Sequence, residues 1–216
     1  MVSAEFIDKI FTQFLPKLSE KYTVRKLSLL TKSSYDATYR HVHYLIKENA
    51  LKVEKVGAYS YVSVNFESNL ARKIIEKVSL TKTEIFLKKD IITKKLLEEL
   101  IKELKDSIPN ELLSMILYGS YAKGTQTEQS DIDLLIVVST FDTRDKIERI
   151  CDATEMRYGK DIAPLITTAT ELRKMLKSET PTVAQEILLD GIVLFGYEKY
   201  YSIIFSANSV SALVCP

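Results

Sequence analysis

The 216-residue chain is 46% hydrophobic and 27% charged, an ordinary globular balance that argues against a disordered chain. Its two cysteines, Cys151 and Cys215, form no C-x-x-C pair, which argues against a disulfide framework or a structural zinc site and fits a reducing cytosol. No apolar run approaches the roughly 18 residues of a membrane span, and the N-terminus lacks a basic-then-apolar leader, so the sequence predicts a soluble cytoplasmic protein with no membrane partner.

The net charge of +1 hides an asymmetry: residues 1–80 hold 13 Lys/Arg against 8 Asp/Glu, and the remainder hold 17 against 21. Glycine is uneven too. Gly57 stands alone in the first part, while Gly119, Gly124, Gly159, Gly191 and Gly196 fall in the second. Two differently built halves are expected. The basic excess of the first is compatible with a polyanion partner.

Residues 4–19 place Phe6, Ile7, Ile10, Phe11, Phe14, Leu15 and Leu18 at helical spacing, with Pro16 late in the segment where it would end or kink a helix. Thr23 can cap a short second helix over Val24–Leu30, and Thr31-Lys32-Ser33-Ser34 breaks it. A third helix is expected over Ser34–Glu48, with Thr38, Val42 and Leu45 on one face and Asn49 as a left-handed cap. Then Leu51–Val56 and Ser60–Val64 alternate with period two around a turn at Gly57-Ala58-Tyr59, the pattern of a β-hairpin.

Three helices followed by a hairpin, over roughly residues 5–66, resemble a winged helix-turn-helix. The resemblance implies that the third helix enters the major groove of duplex DNA. Its face opposite Val42 and Leu45 offers Tyr35, Tyr39, Arg40 and His43, and Lys55 with Tyr59 near the wing tip would reach the flanking backbone. The alternative is a module that docks proteins or makes a homodimer. His41 and His43 are not a ligand pair, because two positions on a helix face different ways.

Residues 70–107 read as mainly helical. Leu70–Val78 extends the first domain, and Ile91–Lys105 carries Leu96, Leu97, Leu100, Ile101 and Leu104 on one stripe. The polar Thr81-Lys82-Thr83 is the expected boundary. It gives domains at 1–80 and 81–200, with 201–216 as a C-terminal tail.

The chemistry is concentrated in LSMILYGSYAKGTQTEQSDIDLLIVV, Leu113 to Val138. A strand ends in Gly119-Ser120. After ten intervening residues from Ser120 come Asp131-Ile132-Asp133, opening a second strand. Residues two apart on a strand point the same way, so the two carboxylates project together and call for a cation, with oxygen-only ligands suiting magnesium. Gly119 lets backbone approach a ligand, while Ser120 and the following N–H groups can cradle phosphate and Lys123 can add a point charge.

This pattern resembles the nucleotidyltransferase superfamily of DNA polymerase beta and kanamycin nucleotidyltransferase, and most of all its minimal archaeal and bacterial members. Those usually carry Arg where Lys123 stands, so a bidentate fork is replaced here by a single charge. The resemblance runs to about residue 198. It implies nucleotidyl transfer from ATP or another nucleoside triphosphate, two Mg2+ ions on Asp131 and Asp133, and a third carboxylate on a later strand. Lys160–Ile166 reads as that strand, at a sheet edge because of Pro164, and Asp161 is the chosen third ligand. Asp142 and Asp152 are the weaker choices, in a loop and a helix. Glu155, Arg157, Tyr158, Gln185 and Glu186 are possible cleft residues.

The expected fold is α/β (α+β): a winged helix-turn-helix followed by a small mixed-sheet nucleotidyltransferase domain. The expected activity is transfer, adenylyl in kind, to a protein or small-molecule hydroxyl, combined with DNA binding. Minimal relatives that act as antitoxins modify a helical toxin partner, and a DNA-binding domain on the same chain would suit an autoregulator. The rival expectation is a DNA-binding regulator whose transferase fold only senses nucleotide.

Overall fold

A computed structural model describes residues 2–178, 180 and 182–209. The described chain divides into two compact units, one of residues 2–79 with 205–209 and one of Leu80–Ile204.

In the first unit, α1 (Ala4–Thr12) starts at Ser3, whose hydroxyl accepts from Phe6 N. Regular helix stops at Thr12, short of residue 19. It continues as tighter turns closed by Gln13→Ile10, Phe14→Phe11 and Lys17→Phe14 backbone bonds. Pro16 supplies the reason: it has no N–H to give, and its ring would press on the carbonyl of Thr12. The turns still bury Phe14 and Leu18. Helices α2 (Val24–Leu30) and α3 (Tyr35–Lys47) are capped by the hydroxyls of Thr23 and Ser34. The inner face of α3 is Thr38, His41, Val42 and Leu45.

His41 and His43 do face apart. His41 is buried against Phe6, its Nδ1 donating to Ala37 O at 2.7 Å and its Nε2 accepting from Ser3 N at 3.0 Å; His43 is exposed. Asn49, at φ +58°, turns the chain into β1 (Leu51–Val56). Strand β2 (Tyr59–Val64) pairs with it antiparallel, from Leu51↔Val64 to Val56↔Tyr59, so Tyr59 belongs to the strand and the tip is Gly57-Ala58.

The two units divide after Ser79, beside the polar Thr81-Lys82-Thr83, but the backbone does not break there. Helix α4 (Asn69–Leu87) runs straight through that segment. These residues are polar because they bind backbone: Thr83 Oγ1 donates to Val193 O at 2.7 Å, and Lys82 Nζ to Gly191 O at 3.1 Å.

The second unit holds a four-stranded mixed sheet in the order β5-β4-β3-β6. Strand β3 (Leu112–Leu117) is antiparallel to both β4 (Ile132–Val138) and β6 (Ile192–Phe195), and β4 is parallel to β5 (Ile162–Thr168). Pro164 therefore lies on an edge strand, where a missing N–H costs no ladder bond. Alternation decides the faces. Ile132, Leu134, Ile136 and Val138 form one core with Leu96, Leu97, Leu100 and Leu104 of α5 (Ile91–Ser107) and Ile147 and Cys151 of α7 (Arg144–Tyr158). Burial, then nearby acidic charge, pushes the Cys151 thiol up to about 12, so it packs as an apolar group. Asp133 falls on the other parity.

After β5 come α8 (Ala169–Lys177), α9 (Val183–Asp190), β6 and α10 (Tyr197–Ser209). The expected tail is thus helical as far as Ser209. Tyr201, Ile203, Ile204, Phe205 and Ala207 are buried, and Phe205 meets Phe66 edge-on at 5.1 Å. Residues 210–216 of that segment lie outside the described residues.

Candidate functional site

Strand β3 delivers the chain to Tyr118, which opens the short helix α6 (Gly119–Lys123). Tyr118 N donates to Asp133 O at 3.0 Å, which ties the start of that turn to β4. Gly119 has φ +67°, a conformation in which a side chain is strained. A Cβ placed there would sit 2.8 Å from Asp133 Cγ and still closer to Oδ2. The missing side chain is therefore what lets the Asp133 carboxylate lie against the turn. Ser120 follows, half-buried.

Asp131 is exposed and Asp133 half-buried, two residues apart at the start of β4. Among the described residues neither carboxylate has a hydrogen-bonded or ion-paired partner in the structure. Burial, and then the charges of Asp131 and Glu186, hold the Asp133 carboxyl above the usual carboxylate range. Unneutralised oxygen ligands of this kind fit a hard divalent cation such as Mg2+. No group of three or more His, Cys, Asp or Glu stands ready to hold a metal among the described residues.

Asp161 precedes β5. Its carbonyl accepts from Ile132 N at 2.8 Å, and its side chain is exposed. The register Asp133↔Ala163 puts Asp161 level with Asp131 on the same sheet face, and puts alanine beside Asp133. Asp142 lies in a short 3-10 turn, Phe141–Thr143, and Asp152 is exposed on α7.

Lys123 is ion-paired with α9. Its Nζ lies 2.5 Å from Glu186 Oε1 and 3.9 Å from Asp190 Oδ2, both on α9. Of the other cleft candidates, Arg157 and Tyr158 bind Glu99 of α5 and Arg157 also Glu103, while Glu155 accepts from Ile162 N at 2.8 Å. Gln185 completes the capping box of α9. All four are spent on holding elements in place. Glu186 is close enough for its charge to act on Asp133, and its 63-residue separation from Lys123 leaves no mark in any local motif.

In the first unit, Tyr35, Tyr39, Arg40 and His43 are all exposed on the outer face of α3. Tyr35 stacks on Tyr39 with centroids 6.1 Å apart, and Tyr39 meets His43 at 6.0 Å. Lys55 is exposed near the hairpin tip.

The site is thus a glycine turn closed against an acidic pair, on a mixed sheet backed by helices. The family model for the nucleotidyltransferase domain matches residues 97–194. A candidate protein adenylyltransferase of Methanocaldococcus jannaschii, MJ1305, is 35% identical over 112 residues, which cover 49% of this chain and 69% of that protein. The protein adenylyltransferase MntA of Shewanella oneidensis is 31% identical over 101 residues, covering 47% of this chain and 66% of that one. A crystal structure of a toxin-antitoxin with AMP-PNP aligns at TM-score 0.38 and 24% identity, over 54% of this chain and 85% of that one. The chain belongs to the nucleotidyltransferase family and is a nucleotidyltransferase related to protein adenylyltransferases. Among the described residues, no helix is long and apolar enough to cross a membrane.

Proposed function

We propose that this chain transfers adenylyl from ATP to a hydroxyl on a protein, and that its first unit is a winged helix-turn-helix that binds duplex DNA. One observation carries the transfer reading: the unpaired Asp133 carboxylate packed on the bare Cα of Gly119. The relatives named as protein adenylyltransferases support a protein as acceptor.

In this reading Gly119 and Ser120 offer backbone N–H groups and a hydroxyl to the β- and γ-phosphates, and Lys123 adds a positive charge. Asp131 and Asp133 hold Mg2+. When bound, the ions neutralise phosphate charge and favour in-line displacement at the α-phosphorus. Asp161 is the third carboxylate, at the same strand end as Asp131, and takes the proton from the acceptor hydroxyl. That oxygen bonds to the α-phosphorus as pyrophosphate leaves. On α3, Arg40 meets phosphate or a guanine edge while Tyr35, Tyr39 and His43 face the groove and Lys55 the flanking backbone. A modifying site and a DNA-binding unit on one chain suit an autoregulator of antitoxin type, acting on a helical toxin.

The test uses ATP labelled at the α-phosphate, Mg2+ and a protein acceptor fraction. Label retained on protein with release of pyrophosphate supports the reading. Retention by the Asp131→Asn/Asp133→Asn variant, or transfer of γ-label instead, overturns it.

A further inference from the structure

Lys123 is paired with α9. Its two partners, Glu186 and Asp190, are four positions apart on α9 and so lie on one helix face. Helix α9 is itself fixed at both ends. At its start Thr182 Oγ1 donates to Met175 O and Gln185 Nε2 to Ser178 O, both at 2.9 Å. At its end Lys82 Nζ donates to Asp190 O at 3.3 Å and to Gly191 O at 3.1 Å. The backbone that carries the two carboxylates is therefore anchored at both ends, while Lys123 reaches it on a long side chain from the end of the five-residue α6.

The charge of Glu186 also acts on Asp133. After burial, it is one of the two charges that raise Asp133, and with Asp133 one of the two that raise Tyr118. The negative charges of Asp131 and Glu186 thus act on Asp133, and Lys123 is the cation paired with Glu186. A bare triphosphate meets repulsion here that its magnesium complex largely escapes.

We propose that Glu186, backed by Asp190, is a positioning residue that holds Lys123 on α9 and yields it to the phosphates, favouring the magnesium complex over free nucleotide. This rests on the reading of Lys123 as a phosphate-binding residue. Exposed ion pairs are weak, so the pairing tunes affinity by about two- to fivefold rather than locking the site.

The experiment is calorimetric titration of the full chain with a non-hydrolysable ATP analogue, with EDTA and with Mg2+. The variants are Glu186→Gln, Asp190→Asn, Lys123→Ala and the Lys123→Ala/Glu186→Gln double, each checked for an unchanged melting temperature. Glu186→Gln tightens metal-free binding about two- to fivefold and magnesium-nucleotide binding less. Asp190→Asn acts in the same direction but less. Lys123→Ala weakens binding, and in that background the effect of Glu186→Gln shrinks, because it acts through the lysine. Three results overturn the proposal: no effect of Glu186→Gln, an equal effect in both backgrounds, or weaker magnesium-nucleotide binding in both, which would make Glu186 a metal ligand. If Lys123→Ala leaves affinity untouched, the nucleotide role of Lys123 falls as well.

Discussion

Gly119 and Asp133 occupy space that one ordinary side chain would close. The glycine sits at φ +67°, and the volume its Cβ would fill holds the Asp133 carboxylate. Gly124 is a natural control: its φ of +71° is equally unfavourable for a side chain, but nothing lies within 4 Å of its would-be Cβ. Gly119→Ala should therefore both lower stability, by about 1–3 kcal/mol from the strained backbone, and displace Asp133. Gly124→Ala should carry the backbone cost and keep transfer. Thermal melts beside an α-label transfer assay separate the two. Equal activity in both variants would remove the steric argument.

The acidic pair makes its own prediction. Asp131→Asn and Asp133→Asn sit at a strand end, outside the apolar core, so both variants should fold. Each should lose metal-dependent transfer, and the double variant should lose the melting-temperature rise given by Mg2+ with ATP, since a ligand stabilises only what it binds. A double variant that keeps the wild-type rise would move the metal elsewhere.

Metal-free stability should depend on pH through Asp133. Its folded-state carboxyl is raised, first by burial and then by Asp131 and Glu186, so the folded protein holds this proton more tightly than the unfolded chain does. The group's contribution is then fully present below the ordinary carboxylate value and is lost as pH rises through the folded value. Asp133→Asn should consequently match the wild type near pH 3 and be the more stable protein near pH 7, in EDTA. Urea midpoints at the two pH values measure this. A variant less stable than wild type near neutrality would mean the carboxylate makes a favourable contact instead.

Local chemistry was legible in the sequence, and long-range pairing was not. Alternation from Leu51 to Val64 specifies the hairpin, and Gly119-Ser120 with Asp131 and Asp133 specifies a turn facing a strand end, because each signal spans a few residues. The continuity of α4 was hidden because Thr81, Lys82 and Thr83 look like a linker until Val193 and Gly191, over 100 residues on, take their hydrogen bonds. The same distance problem hid the pairing of Glu186 with Lys123, though Glu186 itself was a cleft candidate. The buried half of α10 was hidden because its partners for Phe205 come from the far end of the chain.

Asp161 has a sharp test of its own. It stands level with Asp131 but is exposed, and Ala163 stands beside Asp133. If Asp161 serves the attacking oxygen, Asp161→Ala should lower turnover at least about tenfold with less than about a twofold change in nucleotide affinity. Equal losses of both would indicate a structural role. Wild-type turnover would shift the third carboxylate to another acidic residue, with Asp142 and Asp152 the next to substitute.

The outer face of α3 gives the last prediction. Arg40 and Tyr39 are exposed, opposite Val42 and Leu45, so Arg40→Ala and Tyr39→Ala should fold as the wild type does. Both should lose affinity for duplex DNA, while transfer to a protein acceptor should be unaffected, since the Gly119 turn lies in the other unit. Removing one phosphate contact by Arg40→Ala should also flatten the plot of log affinity against log salt by about one unit of slope. Tyr39→Ala, which takes away a ring stacked on Tyr35 but no charge, should lower affinity with the slope kept. Fluorescence anisotropy with duplex from the region upstream of the protein's own coding sequence, at several salt concentrations, reads both quantities. A wild type that binds this duplex no better than a mixed-sequence one, with both variants matching it, would assign the helices and hairpin to self-association, which sedimentation of the same variants would then detect.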